Sequence, residues 1–241
     1  MSERIALRVT DLDVHYKDFQ ALWGVSLVVR EGQVVSVIGA NGAGKSTLLN
    51  TVAGLLTPTK GHIEFFGEGI SGMASHRTVD LGISLVPEGR RVFPRLTVYE
   101  NLLMGSYTSR SRLERDEGLN RLYELFPILK SRHDQMANTL SGGEQQMLAI
   151  ARSLMSRPKL ILCDEISLGL APVVIKDIYR RLRRINEEGL TIVLVEQDIK
   201  RSLKAAGYAY VMLEGKTVLE GDPSSLSEDE VKKAYFGIRR G

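Results

Sequence analysis

An α/β fold is predicted, with a mostly parallel sheet, an N-terminal antiparallel β region and an inserted helical lobe. Three observations predict it. Short, nearly continuous apolar runs at residues 34–38, 83–86 and 191–196 have the look of strands buried on both faces. Helical patterns alternate with such runs, which implies parallel pairing through crossovers. From about residue 90 to 156 that alternation stops and helical patterns stand alone.

Each element follows from the chain. Residues 5–16 and 25–30 alternate like strands and supply the antiparallel region. The apolar run 34–38 stops at Gly39, as a buried strand feeding a loop does, and a helical pattern covers 45–55. Residues 61–67 read as a strand, 73–81 as a short helix, and 83–86 as a buried strand ending at Pro87-Glu88-Gly89. Helices are expected over 97–107, 112–126 and 141–156. Strands return at 159–163, 191–196, 208–213 and 217–219, with a helix over 173–188, and the tail 224–241 ends in a short amphipathic helix. The expected organisation is one domain over 1–241, with 1–89 and 157–241 as its α/β core and 90–156 as its helical lobe.

Composition narrows the function. Hydrophobic residues at 43% and charged residues at 25% suit a folded globular chain. The 32 basic and 29 acidic residues leave a net charge of +3, and the basic residues are spread out. The densest run, Arg180, Arg181, Arg183 and Arg184, lies in an amphipathic stretch and reads as a solvated helix face, so no nucleic-acid partner is expected. Cys163 is the single cysteine, which excludes an internal disulfide. Its apolar neighbours mark it as a small buried hydrophobe rather than a nucleophile. The four histidines show no ligand spacing. The charged N-terminus does not read as a signal peptide, and no apolar run approaches the ~20 residues of a membrane span. A cytosolic protein is expected, with any membrane connection made through a partner.

The chemistry is concentrated in two places. Gly39-Ala40-Asn41-Gly42-Ala43-Gly44-Lys45-Ser46-Thr47 matches the phosphate-loop pattern between a strand and a helix, and so predicts a P-loop NTPase core. Residues without bulky side chains let backbone N–H groups turn inward onto anionic oxygens, and the helix start adds its positive end. Lys45 then reaches the terminal phosphates of ATP and the Ser46 hydroxyl binds Mg²⁺. Asp164 closes the apolar run 160–163, at a strand end where ligands of open α/β sheets bind. There it can hold Mg²⁺, and Glu165 beside it can orient and deprotonate an attacking water.

The run Leu140-Ser141-Gly142-Gly143-Glu144-Gln145 precedes a helix. Ser141 and Glu144 have the capping-box offset. The paired glycines make sense if backbone must approach a ligand closely. With these three pieces in this order, essentially the whole chain resembles the ATP-binding-cassette ATPases. The resemblance implies that two cassettes pair head to tail, each ATP lying between one phosphate loop and the other chain's signature, here Ser141, Gly142, Gly143 and Glu144. It implies that Tyr16 stacks on adenine, a core aromatic being the alternative, and that residues 167–171 touch the partner cassette. A narrower resemblance links the segments 86–93, 167–172 and 195–197 to cassettes of high-affinity branched-chain amino-acid importers; importers of amides and urea are similar. It implies integral-membrane permease subunits, a substrate-binding protein acting indirectly, and a peripheral place on the cytoplasmic face of the membrane. Arg90, Arg91 and Phe93 are the expected permease contacts, an unengaged surface loop being the alternative.

Four positions depart from the general family pattern: Glu88 for Gln, Gln197 for His, Ala171 for Asp, and Ile166 where Pro often stands. Glu88 can still contact Mg²⁺ but donates no hydrogen bond when ionised. Gln197 can hydrogen-bond a γ-phosphate but carries no proton as imidazolium does. They make an asymmetric pair with a second, standard cassette the expectation. The competing readings are a weakly active regulatory ATP-binding module and a soluble cassette acting on nucleic acid.

Overall fold

The computed structural model describes residues 4–238. The chain runs through β1 (Ile5–Tyr16), β2 (Phe19–Arg30), β3 (Val34–Ile38), α1 (Lys45–Val52), β4 (Lys60–Phe65), β5 (Glu68–Gly69), α2 (Ser75–Leu81) and β6 (Ile83–Val86). A run of helices follows: α3 (Val98–Met104), α4 (Ser109–Leu113), α5 (Arg115–Leu125), α6 (Pro127–Ser131) and α7 (Gly142–Leu154). Alternation resumes with β7 (Leu160–Asp164), α8 (Pro172–Glu187), β8 (Thr191–Glu196), α9 (Ile199–Ala205), β9 (Tyr208–Leu213), β10 (Lys216–Gly221) and α10 (Glu228–Tyr235).

An antiparallel sheet has the order β2-β1-β4-β5. The larger sheet has the order β10-β9-β3-β8-β7-β6 and is parallel from β9 to β6, with β10 antiparallel at its edge. The phenol of Tyr210 joins the two sheets. It accepts from the Val28 amide at 2.9 Å and donates to the Val28 carbonyl at 3.1 Å.

The central strands are mostly apolar because both faces are covered. Leu160 and Leu162 of β7 pack with α1 and the antiparallel sheet. Ile161 and Cys163 point the other way, into a cluster with α7 and α8. Cys163 is a buried free thiol, as its neighbours predict, and burial pushes its pKa well above the ordinary thiol range. No described helix is long and apolar enough to cross a membrane.

Several sequence boundaries shift. β2 begins at Phe19 rather than at residue 25. Gly24 sits at a bulge with φ 61°, its amide held by Asp13 Oδ1 at 2.7 Å. The expected helix over 112–126 is two, α4 and α5, divided at Glu114 (φ −113°). α6 follows because Pro127 forces Phe126 out of helical geometry (φ −125°, ψ 73°) and then starts a new turn. β10 extends to Lys216–Gly221 and alternates in burial, as an edge strand with one wet face does. The tail helix α10 ends at Tyr235, and residues 239–241 lie outside the described residues.

Register decides where the site forms. β3, β8 and β7 are neighbours, with Ile38 opposite Glu196 and Asp164 opposite Val195. The loop after β3, the Asp164-Glu165 pair and Gln197 therefore leave the sheet side by side at its carboxyl edge.

Candidate active site

The phosphate loop joins β3 to α1. Gly44, the N-cap of α1, has φ 97°, and no side chain caps the helix. The left-handed backbone at this position favours glycine, and a Cβ there would also press on Leu22 Cδ2 at 2.6 Å. The first amides of α1 are thus free of a side-chain acceptor and suit an anion. Asn41 and Gly42 are exposed, while Ala43, Lys45 and Thr47 are buried and Ser46 is half-buried. The loop is braced from behind by the Gly215 amide, which donates to the Ala43 carbonyl at 3.1 Å.

Five of the predicted side chains converge here. Lys45 Nζ pairs with Glu165 Oε1 at 3.1 Å and donates to the Ala40 carbonyl at 3.0 Å. Gln197 Nε2 donates to Glu165 Oε2 at 2.5 Å. Ser46 Oγ donates to Asp164 Oδ1 at 3.1 Å. Glu165 has φ 46°, uncommon for a non-glycine residue, and its amide donates to the Val195 carbonyl at 2.9 Å. Burial raises the Asp164 carboxyl pKa; the Ser46 hydroxyl opposes this, while Glu165 and Glu88 add to it by charge repulsion and Lys45 relieves it. The Ser46 hydroxyl and the Asp164 carboxylate are hard oxygen donors in contact, the kind of partial set that suits Mg²⁺ completed by phosphate and water.

Tyr16 is 44% exposed, which removes the core alternative, and its phenol lies 3.4 Å from Thr47 Oγ1 beside the loop. Glu88 is exposed on a groove of about 680 Å³ that Ser46, Asp164, Arg91, Phe93 and Met104 also line. Phe93 is fastened there by Asn101, whose side chain accepts from its amide at 2.8 Å and donates to its carbonyl at 3.0 Å.

The signature turn stands apart from this cluster. Ser141 Oγ accepts from the Glu144 amide at 3.3 Å, and Glu144 Oε2 accepts from the Ser141 amide at 2.8 Å, closing the expected capping box. A Cβ on Gly142 would meet the Arg90 guanidinium at 2.8 Å, and one on Gly143 would meet Val174 at 2.7 Å. Arg90 is thus turned onto the signature, while Arg91 and Phe93 line the groove, a division that the sequence did not reveal. After Gly89 (φ 78°), Arg90 and Arg91 also have positive φ (68° and 43°), uncommon for non-glycine residues and exposed only by coordinates. Sequence reasoning also passed over Glu196, the buried neighbour of Gln197. Its signal was a carboxylate closing an otherwise apolar strand.

An uncapped phosphate loop, a lysine–carboxylate–glutamine cluster and a separate capped signature turn on one α/β core define a nucleotide-hydrolysing cassette. The model of the ABC transporter family matches residues 22–167. The chain is 46% identical over 94% of its length to the high-affinity branched-chain amino acid transport ATP-binding protein BraG of Pseudomonas aeruginosa, covering 97% of that protein. It is 35% identical over 96% of its length to the lipopolysaccharide export system ATP-binding protein LptB of Haemophilus influenzae, again covering 97% of it. The fold superposes on a nucleotide-free ATP-binding cassette from an ABC transporter with a TM-score of 0.84, at 30% identity, over 95% of this chain and 94% of that one. It also superposes on a dimeric cassette bound to ADP and Pi with a TM-score of 0.79, at 27% identity, over 91% of this chain and all of the other. The chain belongs to the ABC transporter family and is an ATPase subunit of a transporter. Members of this family work as paired cassettes on membrane permease subunits.

Proposed function

We propose that this chain drives an importer of branched-chain amino acids from the cytoplasmic face of the membrane, paired with a second cassette. The observation that carries the hydrolytic part is the Lys45–Glu165–Gln197 cluster beside the uncapped start of α1. The substrate follows from the match to BraG along nearly the whole chain.

In this reading Tyr16 stacks on adenine and the amides of residues 39–47 receive the phosphates. Lys45 exchanges Glu165 for the terminal phosphates, since the triphosphate competes for the same ammonium. Glu165, so released and held by Gln197, orients the attacking water and takes its proton. Ser46, Asp164 and Glu88 would hold Mg²⁺, which neutralises charge on the β- and γ-phosphate oxygens when bound. The partner cassette's phosphate loop faces Ser141, Gly142, Gly143 and Glu144, whose amides suit a γ-phosphate. Closure shifts residues 90–156 as a lobe against the core of 1–89 and 157–241. The groove lined by Arg91 and Phe93 receives a permease segment. The imported molecule reaches the permease from a substrate-binding protein.

A second reading, a weakly hydrolysing regulatory module in an asymmetric pair, is favoured by Gln197, which cannot shuttle a proton as histidine does. One experiment separates the two. The complex is co-purified from membranes, reconstituted, and assayed for ATP turnover with leucine, isoleucine, valine, amides and urea. Stimulation by the branched-chain amino acids that is lost with Glu165→Gln is expected. Stimulation by amides or urea alone overturns the substrate, and turnover unaffected by Glu165→Gln overturns the hydrolytic role in favour of the module.

A further inference from the structure

Glu196 is a buried carboxylate that the reaction outlined above does not use; its residue is 3% exposed. It closes β8, one residue before Gln197, and consecutive residues at a strand end face opposite ways. Gln197 turns to Glu165 on the phosphate side. Glu196 turns behind the site, where both of its oxygens are engaged. Ser167 Oγ donates to Oε2 at 2.8 Å and the Tyr179 phenol donates to Oε1 at 2.8 Å. Arg201 completes the assembly. Its Nη1 donates to Ser167 Oγ at 2.9 Å, and its Nη2 pairs with Asp198 Oδ2 at 3.0 Å.

These contacts connect four pieces of the fold at one point. Ser167 lies two residues after Glu165, Tyr179 is on α8, Arg201 is on α9, and Glu196 is on β8. Two bridges therefore span the same gap between the ends of β7 and β8. Gln197 to Glu165 is the front bridge, and Ser167 to Glu196 is the rear one. An acceptor that takes one hydroxyl on each oxygen suits an ionised carboxylate. Burial raises the Glu196 pKa, while the Tyr179 and Ser167 hydroxyls and the Arg201 charge hold it down. A buried polar group fully satisfied in this way fixes geometry, because losing any member strands the others.

We propose that Glu196 is a positioning residue for ATP hydrolysis, fixing from behind the approach of Gln197 to Glu165. This rests on the roles given above to those two side chains. The rear bridge sets the separation of the two strand ends, and so the angle at which Gln197 presents its amide. A misplacement of about 1 Å in such a pair costs on the order of a hundredfold in rate. Nucleotide binding draws on the loop at α1 and is untouched.

The test uses the full chain in its reconstituted transporter complex. In Glu196→Ala, kcat is expected to fall by about tenfold or more while KM for ATP stays within about twofold. Glu196→Gln, which keeps the shape and one acceptor, restores most of the rate. Tyr179→Phe, which keeps the packing, lowers kcat by about threefold and guards against a variant that simply fails to fold. In a Gln197→Ala background, Glu196→Ala costs less than about a further twofold, because what it positions is already gone. Independent, multiplying losses from the two substitutions would overturn the inference. So would a rise in KM matching the fall in kcat, or unchanged kcat in both Glu196→Ala and Tyr179→Phe. Glu165→Gln separates the failures. If it abolishes turnover and the Glu196 variants do not affect it, this inference alone falls; if it leaves turnover intact, the reading of the site falls too.

Discussion

Two helix starts of this chain, α1 and α7, are finished in opposite ways. α1 begins at Gly44 with no side-chain cap, so its leading amides are left to a ligand. α7 begins at Ser141 with a closed capping box, and the Arg90 guanidinium lies over Gly142. The first end leaves its leading amides without a side-chain acceptor. The second has the Ser141 and Glu144 amides held by its own side chains, which leaves those of Gly142 and Gly143. In the proposed reading, nucleotide enters at α1 and the signature engages only when another cassette docks.

The largest effect expected is at the α1 end. Glu165→Gln removes the proposed base and the carboxylate that competes for Lys45. Turnover should fall by about 10²–10⁴-fold, while the Kd for ATP falls as the loop loses an internal rival. Rapid-quench turnover and equilibrium nucleotide titration check both halves, and weaker ATP binding would break the account of Lys45.

Ser141→Ala should act at the other end only. Losing the cap costs about 1 kcal/mol of stability, read by denaturant melts, and lowers turnover of the paired complex by about tenfold. The isolated chain should bind ATP as tightly as before. If its affinity falls as far as with a phosphate-loop substitution, the two ends are not separate and the comparison fails.

The smallest effect is electrostatic. The Asp164 pKa in the folded chain is raised above its ordinary 3.8, burial being the main cause. A raised carboxyl favours the protonated folded state, so stability is lost as pH rises through the folded value. Asp164→Asn removes that loss. Its Tm should exceed that of the parent at pH 8, and the gain should shrink as pH falls toward 3.8. A gain independent of pH would sink the assignment of charge burial at this site.

Much of this was legible in the chain. The apolar run at β3 followed by Gly39 to Thr47 announces both the strand and the loop, because the motif needs small residues at fixed spacing. The first half of β2 was not legible, because a bulge glycine such as Gly24 looks like a strand-ending one in one dimension. The break within 112–126 was not legible, because helical periodicity carries across Glu114 without marking it.

Local patterning, then, determined the element types, the phosphate loop, and the Asp164-Glu165 pair at a strand end, since each depends on neighbours within a few residues. Only the tertiary structure decided that Gln197 meets Glu165, that Glu196 backs them with Ser167 and Tyr179, and that Arg90 covers Gly142. Those contacts depend on the order β3-β8-β7 and on the left-handed backbone at Gly89, Arg90 and Arg91. Strand order is set by the packing of whole faces against one another, and no short stretch of sequence encodes it.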